Sequence, residues 1–228
     1  ETPWSVAAWA LRGLAWRLSE DERADWLYRP DTAIRAMELA GAEDLVPRAV
    51  DALRRLHARS ALPLGQSLRG GTQTRGRLFD RTEPIFAELR AAIERTVEDY
   101  RHGLPPGDPA HPLLRHRDRG FALAGSWSIR LTGGGDFHIA HIHPEGVISS
   151  ALYLVVPEDA AAPDKRGWLE LGRPPPNLRL DLGPIETIQP QAGRLALFPS
   201  YLFHGTTPFG REERLTVAFD GVSPDAGV

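Results

Sequence analysis

The stretch "DFHIAHIHPEGVISSALYLVVP", residues 136–157, places His138, His141 and His143 within six positions and then runs into an apolar segment rich in β-branched residues. If the stretch is a strand, side chains alternate, so His141 and His143 share one face and His138 points to the other. Two imidazoles two residues apart on one face can converge on a single ion, with a third ligand supplied from elsewhere. His204, in "FPSYLFHGTT" (198–207), follows another short apolar run and is the candidate. The chain has no cysteine, so the available donors are nitrogen and oxygen, a set suited to non-haem Fe(II), Mn or Zn. The competing reading is a wet strand face whose histidines bond only to their neighbours.

Outward from this stretch, "FALAGSWSIRLT", "GWLELG", "RLALFP" and "RLTVAF" are further short runs bounded by Gly, Pro and Asp. With no helical pattern between them, they suggest an antiparallel sandwich or small barrel. Upstream the pattern is helical. Thr2-Pro3 reads as a cap, Ser19–Glu22 as a capping box, and helices are expected over 43–60 and from Thr82 to about His102. His57, on an apolar helix stripe, is expected to be a hydrogen-bonded core histidine. "GLPPGDPAHP" (103–112) is the natural internal boundary, and "GGG" (133–135) reads as a hairpin turn. The expected class is α+β, with a helical N-terminal region (1–104) packed on a C-terminal jelly roll, or double-stranded β-helix (118–222).

Composition narrows the function. A length of 228 residues suits one domain, or one domain with a helical extension. A formal net charge of −3 gives no general case for nucleic acid, and the absence of cysteine removes disulfides, thiolate zinc sites and cysteine nucleophiles. Lys165 is the single lysine among 27 basic residues, so a lone arginine carries less information than usual. No run is long and apolar enough for a bilayer, and no signal peptide opens the chain. A soluble, cytoplasmic protein is expected, and a first residue of Glu reads as an excised piece of a longer chain.

Ten residues after His204, Arg214 opens "RLTVAF", with Thr216 on its face and Leu215, Val217 and Phe219 on the other. An inward arginine in an apolar strand calls for an anion, because a buried unpaired guanidinium is costly. A small carboxylate held by a bidentate fork meets that need.

These residues together carry a resemblance. "HIHPEGVISSALYLVVP" (141–157), "QPQAGRLALFPSYLFHGTTP" (189–208) and "RLTVAFD" (214–220) resemble the Fe(II)- and 2-oxoglutarate-dependent oxygenases, in a bacterial and phage branch with H-x-H-P in place of H-x-D. "LGQSLRGGTQTRGRLF" (64–79) is similar to a segment upstream of the core in relatives with tetratricopeptide-like helices. The resemblance implies a dioxygenase that uses Fe(II), 2-oxoglutarate and O2 to oxidise a substrate, with decarboxylation to succinate. It implies His141 and His204 as iron ligands, Arg214 and Thr216 on the far carboxylate of 2-oxoglutarate, and Tyr153 reaching the same cosubstrate. Where the common triad has a carboxylate, this chain has His143. His143 as a third ligand is the favoured reading; His143 outside the ligand set, with water in its place, and Glu145 as ligand are the alternatives. Arg69, Gln73 or Thr74 would line the substrate entrance. A protein or peptide substrate would suit a helical array upstream; neither nucleic acid nor membrane is expected as a partner.

Two other classes compete. A cupin matches "G-x5-HIH", yet where cupins want a Glu after the second histidine this chain has Val147 and Ile148. A degenerate, non-catalytic jelly roll would fold without metal. Since ligating imidazoles must be neutral, metal affinity is expected to fall below roughly pH 6.

Overall fold

The computed structural model describes residues 4–60, 68–132, 136–210 and 212–224. The cap expected at Thr2-Pro3 and the turn at 133–135 lie outside them. Helix α1 (Val6–Leu18) starts instead at Ser5, whose Oγ accepts the Ala8 N–H at 3.3 Å. The capping box expected at Ser19–Glu22 does not form. Ser19 donates its hydroxyl back to the Ala15 carbonyl at the end of α1, and the Asp21 carboxylate takes the Arg23 N–H at the start of α2 (Arg23–Tyr28). Trp9, Trp16 and Trp26 pack ring against ring between these two helices.

After α3 (Pro30–Ala33) comes a strand that the helical pattern hid, β1 (Arg35–Glu38). Helix α4 (Ala42–His57) follows, then β2 (Leu68–Arg69), β3 (Thr72–Gln73) and α5 (Pro84–Gly103). Gly70 and Gly71, at φ +85° and +70°, make the turn from β2 to β3 in a conformation that side chains rarely adopt. The C-terminal part holds β4 (Ala122–Leu131), β5 (Phe137–His138), β6 (Ile148–Val155), β7 (Leu169–Leu171), β8 (Glu186–Ile188), β9 (Arg194–Pro199), β10 (His204–Thr206) and β11 (Arg214–Val222).

Every pairing among these strands is antiparallel. One sheet has six strands in the order β1–β9–β6–β11–β4–β3; a second has three, β10–β7–β8; β2 and β5 form a two-stranded ladder. The N-terminal region is therefore not purely helical, since β1 and β3 are the two edges of the large sheet. Alternation divides β11. Leu215, Val217 and Phe219 enter the main core, whereas Arg214, Thr216 and Ala218 line a cavity.

The helix side of the sheet carries an unusual polar contact. His57 is 3% exposed, with Nδ1 2.8 Å from Thr72 Oγ1 and Nε2 3.0 Å from Ser128 Oγ. Ser128 Oγ already donates to the Thr216 carbonyl at 2.9 Å, so it accepts from Nε2–H, and Nδ1 accepts from Thr72. The imidazole is thus neutral and in one tautomer, as expected of a core histidine, and it ties α4 to β3, β4 and β11. Burial holds its pKa down at about 4.

Candidate metal centre

Regular strand ends at His138. The chain rejoins the ladder at His141 through a single bridge to His204, with reciprocal N–H···O bonds of 3.0 and 2.9 Å. The bridge sets the two imidazoles 4.3 Å apart, centroid to centroid, and the next turn brings His143 within 5.1 Å of His141 and 4.8 Å of His204. One ligand atom from each of the three lies within 4.8 Å of the other two. The expectation that His138 faces away is corrected. The break at Ile139-Ala140 resets the alternation, and His138 lines the same cavity, its ring stacked 5.9 Å from that of His141.

Hydrogen bonds decide which nitrogens face inward. His141 Nδ1 lies 2.8 Å from the Ile139 carbonyl and His204 Nδ1 2.9 Å from that of Leu202, so each Nδ1 carries the proton. His143 Nδ1 is paired with Asp220 Oδ1. The Nε2 lone pairs of His141 and His204 are left without protons, and His141 Nε2 sits 3.2 Å from that of His143. At that distance the two nitrogens either share a proton or share a cation lying between them. Burial and the neighbouring imidazoles lower His141 to about 4 and push His204 well below the usual range, so both keep the neutral, metal-ready form in mild acid.

The site opens into a cavity of about 420 Å³ between the six-stranded sheet and β7, β10 and β5. Arg214, 4% exposed, lines it; its Nε and Nη1 have no hydrogen-bond partner, nor has the buried Tyr153 hydroxyl. The Arg214 guanidinium carbon is 5.5 Å from the Tyr153 ring centroid. Burial lowers the Arg214 pKa, with Tyr153 opposing, and raises that of Tyr153. Uncompensated cationic N–H groups in an apolar cavity are a standing requirement for an anion. Thr216 pairs with Tyr153 across β11 and β6, but of the three candidate cosubstrate residues only Arg214 and Thr216 line the cavity; Tyr153 is packed in the main core beneath Arg214.

Asp220 is the residue that sequence reasoning missed. Its signal was present, since Asp220 closes "RLTVAFD" on the face that Arg214 and Thr216 define. Glu145 is exposed and outside the histidine cluster. Of the entrance candidates, Gln73 lines the cavity; Thr74 is buried and accepts the Ser128 N–H at 2.9 Å; the Arg69 side chain lies outside the described residues.

Three clustered imidazoles beside a buried arginine without a hydrogen-bond partner, between antiparallel sheets, form a site that could hold a metal ion and a small anion together. Residues 125–220 match the family described as "Putative 2OG-Fe(II) oxygenase". Among solved structures it is similar to a prolyl-4-hydroxylase of Pseudomonas putida, at 19% identity over 83% of this chain and 92% of that one, TM-score 0.56. A Trichoplax adhaerens prolyl hydroxylase, in complex with a peptide fragment of the hypoxia inducible factor oxygen degradation domain, matches at 15% over 91% and 93%, TM-score 0.57. HygX of Streptomyces hygroscopicus, with nickel and 2-oxoglutarate bound, matches at 13% over 86% and 85%, TM-score 0.56. No curated protein matches the chain by sequence.

Proposed function

We propose that His141, His143 and His204 hold Fe(II) and that Arg214, Thr216 and Tyr153 hold 2-oxoglutarate, in a jelly-roll core whose substrate is a protein or peptide. The single observation that carries the metal assignment is the convergence of Nε2 atoms whose Nδ1 partners are already committed. An all-nitrogen donor set without thiolate fits Fe(II). Bound together with O2, iron and 2-oxoglutarate supply the oxidation, with release of succinate and CO2. The chain supplies the rest. The carbonyls of Ile139 and Leu202 and the Asp220 carboxylate orient the three imidazoles and increase their basicity. Arg214 takes the far carboxylate in a two-pronged grip, with the Thr216 and Tyr153 hydroxyls beside it, while the apolar walls exclude water. The cupin reading is less favoured, because it gives Arg214 nothing to bind. The Trichoplax neighbour's peptide complex supports a peptide substrate by likeness alone.

The test is anaerobic titration with Fe(II) and 2-oxoglutarate, watching for a visible charge-transfer band. Removing one partner of a desolvated charge pair costs roughly 2–5 kcal/mol, or about thirty-fold to several thousand-fold in affinity. Arg214→Gln should weaken 2-oxoglutarate binding by that factor with Fe(II) affinity near wild type, and Arg214→Lys should recover only part. Wild-type 2-oxoglutarate affinity in Arg214→Gln, or no band in the wild type, overturns the assignment.

A further inference from the structure

We infer that Gln73 reads the primary substrate, and that the group it reads is a secondary amide such as a peptide bond. The inference rests on the cosubstrate assignment above, which commits Arg214 and Thr216 to 2-oxoglutarate. The other polar side chains of the cavity wall are then considered in turn. Ser150 Oγ donates to the Phe219 carbonyl and accepts the Phe219 N–H, at 2.9 and 2.8 Å. Thr206 Oγ1 accepts the His138 N–H at 2.9 Å. Trp127 offers at most one N–H, on a ring 5.5 Å from that of His143. Apart from the histidines, Gln73 remains as the lining side chain with both a donor and an acceptor, and its side chain makes no hydrogen bond among the described residues.

Register places it. Gln73 pairs with Ile129, and Ile129 with Thr216, so the three form one row across β3, β4 and β11 on the cavity side. Neighbouring strands are spaced by roughly 4.8 Å, which sets Gln73 about 10 Å to the side of Thr216, clear of the cosubstrate grip but on the same wall. A two-residue edge strand would ordinarily hold a side chain loosely. Here β3 is secured from behind, because His57 accepts from Thr72, and Thr74 both donates its N–H to the Ser128 carbonyl at 3.0 Å and accepts the Ser128 N–H. The amide of Gln73 is thus presented by a fixed backbone, whose attachment uses the helix-side face and leaves the cavity side open.

The chemistry of the ligand follows from that of the wall. With Arg214 committed, no lining cation remains outside the histidine cluster among the described residues, so an anionic substrate group has no counter-charge. Trp127, Ile129, Leu131 and Leu169 favour an apolar body. A carboxamide donates and accepts in one plane, which complements a secondary amide and fits an ester only by half.

The probes are N-isopropylacetamide and isopropyl acetate, which share a shape and differ in one N–H. Each is titrated into the full chain loaded with Mn(II) and 2-oxoglutarate, with paramagnetic relaxation of the probe protons as the readout near the metal. A net hydrogen bond contributes roughly 0.5–1.5 kcal/mol, so the wild type should prefer the amide by about two- to twelve-fold. Gln73→Leu should abolish the preference, and Gln73→Glu, which cannot donate when ionised, should also lose it. Equal binding of the two probes, binding of neither, or an amide preference that survives in Gln73→Leu overturns the inference. Independently of the probes, the Fe(II) and 2-oxoglutarate absorption band reports on the cosubstrate reading: a wild-type band with no amide preference rejects the role of Gln73 alone, whereas a missing band rejects the assignment beneath it.

Discussion

At the scale of single residues, the site depends on which nitrogen of each imidazole is free. His141→Ala and His204→Ala should each abolish metal binding in a calorimetric Fe(II) titration. Asp220→Asn keeps the size of the group that orients His143 but removes its charge; partners of this kind typically affect metal affinity by roughly 10–100-fold, and a loss in that range is expected. Full affinity in His143→Ala would leave two protein ligands and end the three-histidine reading. Acid behaviour supplies another check. Because burial lowers His141 to about 4, metal affinity should change little from pH 7 to 6 and fall as the pH approaches 4. A steep loss centred at the ordinary histidine value would mean that the imidazoles are not pre-set as described.

At the scale of elements, β11 and the crossing of β10 with the 138–141 segment organise the cavity. Alternation along β11 puts Arg214, Thr216 and Asp220 on one face, so in the proposed function one strand serves both the anion and the metal. The crossing depends on Gly205, where an added Cβ would lie 2.7 Å from the His138 carbonyl oxygen and 2.9 Å from the Ala140 nitrogen. Both are backbone atoms, so Gly205→Ala must push β10 away from His141. Overpacking of this sort costs roughly 1–3 kcal/mol. Calorimetry should show a lower unfolding temperature and a larger proportional loss of metal affinity, because the His141–His204 bridge is what separates. Wild-type metal affinity in Gly205→Ala would show that the bridge is dispensable.

At the scale of the whole molecule, three histidines outside the site, His57, His111 and His116, are held by burial below the ordinary value and link stability to pH, and the first two have fully defined partners. His57 and His111 are almost fully buried, each in a single tautomer, and burial lowers each to about 4. The unfolded chain binds their protons near 6.5, so their contribution is complete above that value and is lost as the pH falls from 6.5 towards 4, by at most about 3 kcal/mol each. Urea unfolding of the metal-free protein should show this decline, and His57→Phe, though less stable at pH 7, should show a shallower one; an unchanged slope would place the proton uptake elsewhere. The strands at 148–155, 194–199 and 214–222, the three converging histidines and the inward Arg214 were legible in the sequence, because hydrophobic alternation and donor chemistry are local properties. The direction of His138, the support from Asp220 and the two edge strands drawn from the N-terminal region were decided only by the tertiary structure. A break in a strand resets the alternation of the residues just beyond it, and an edge strand is stabilised by partners far away in the chain, neither of which local periodicity records.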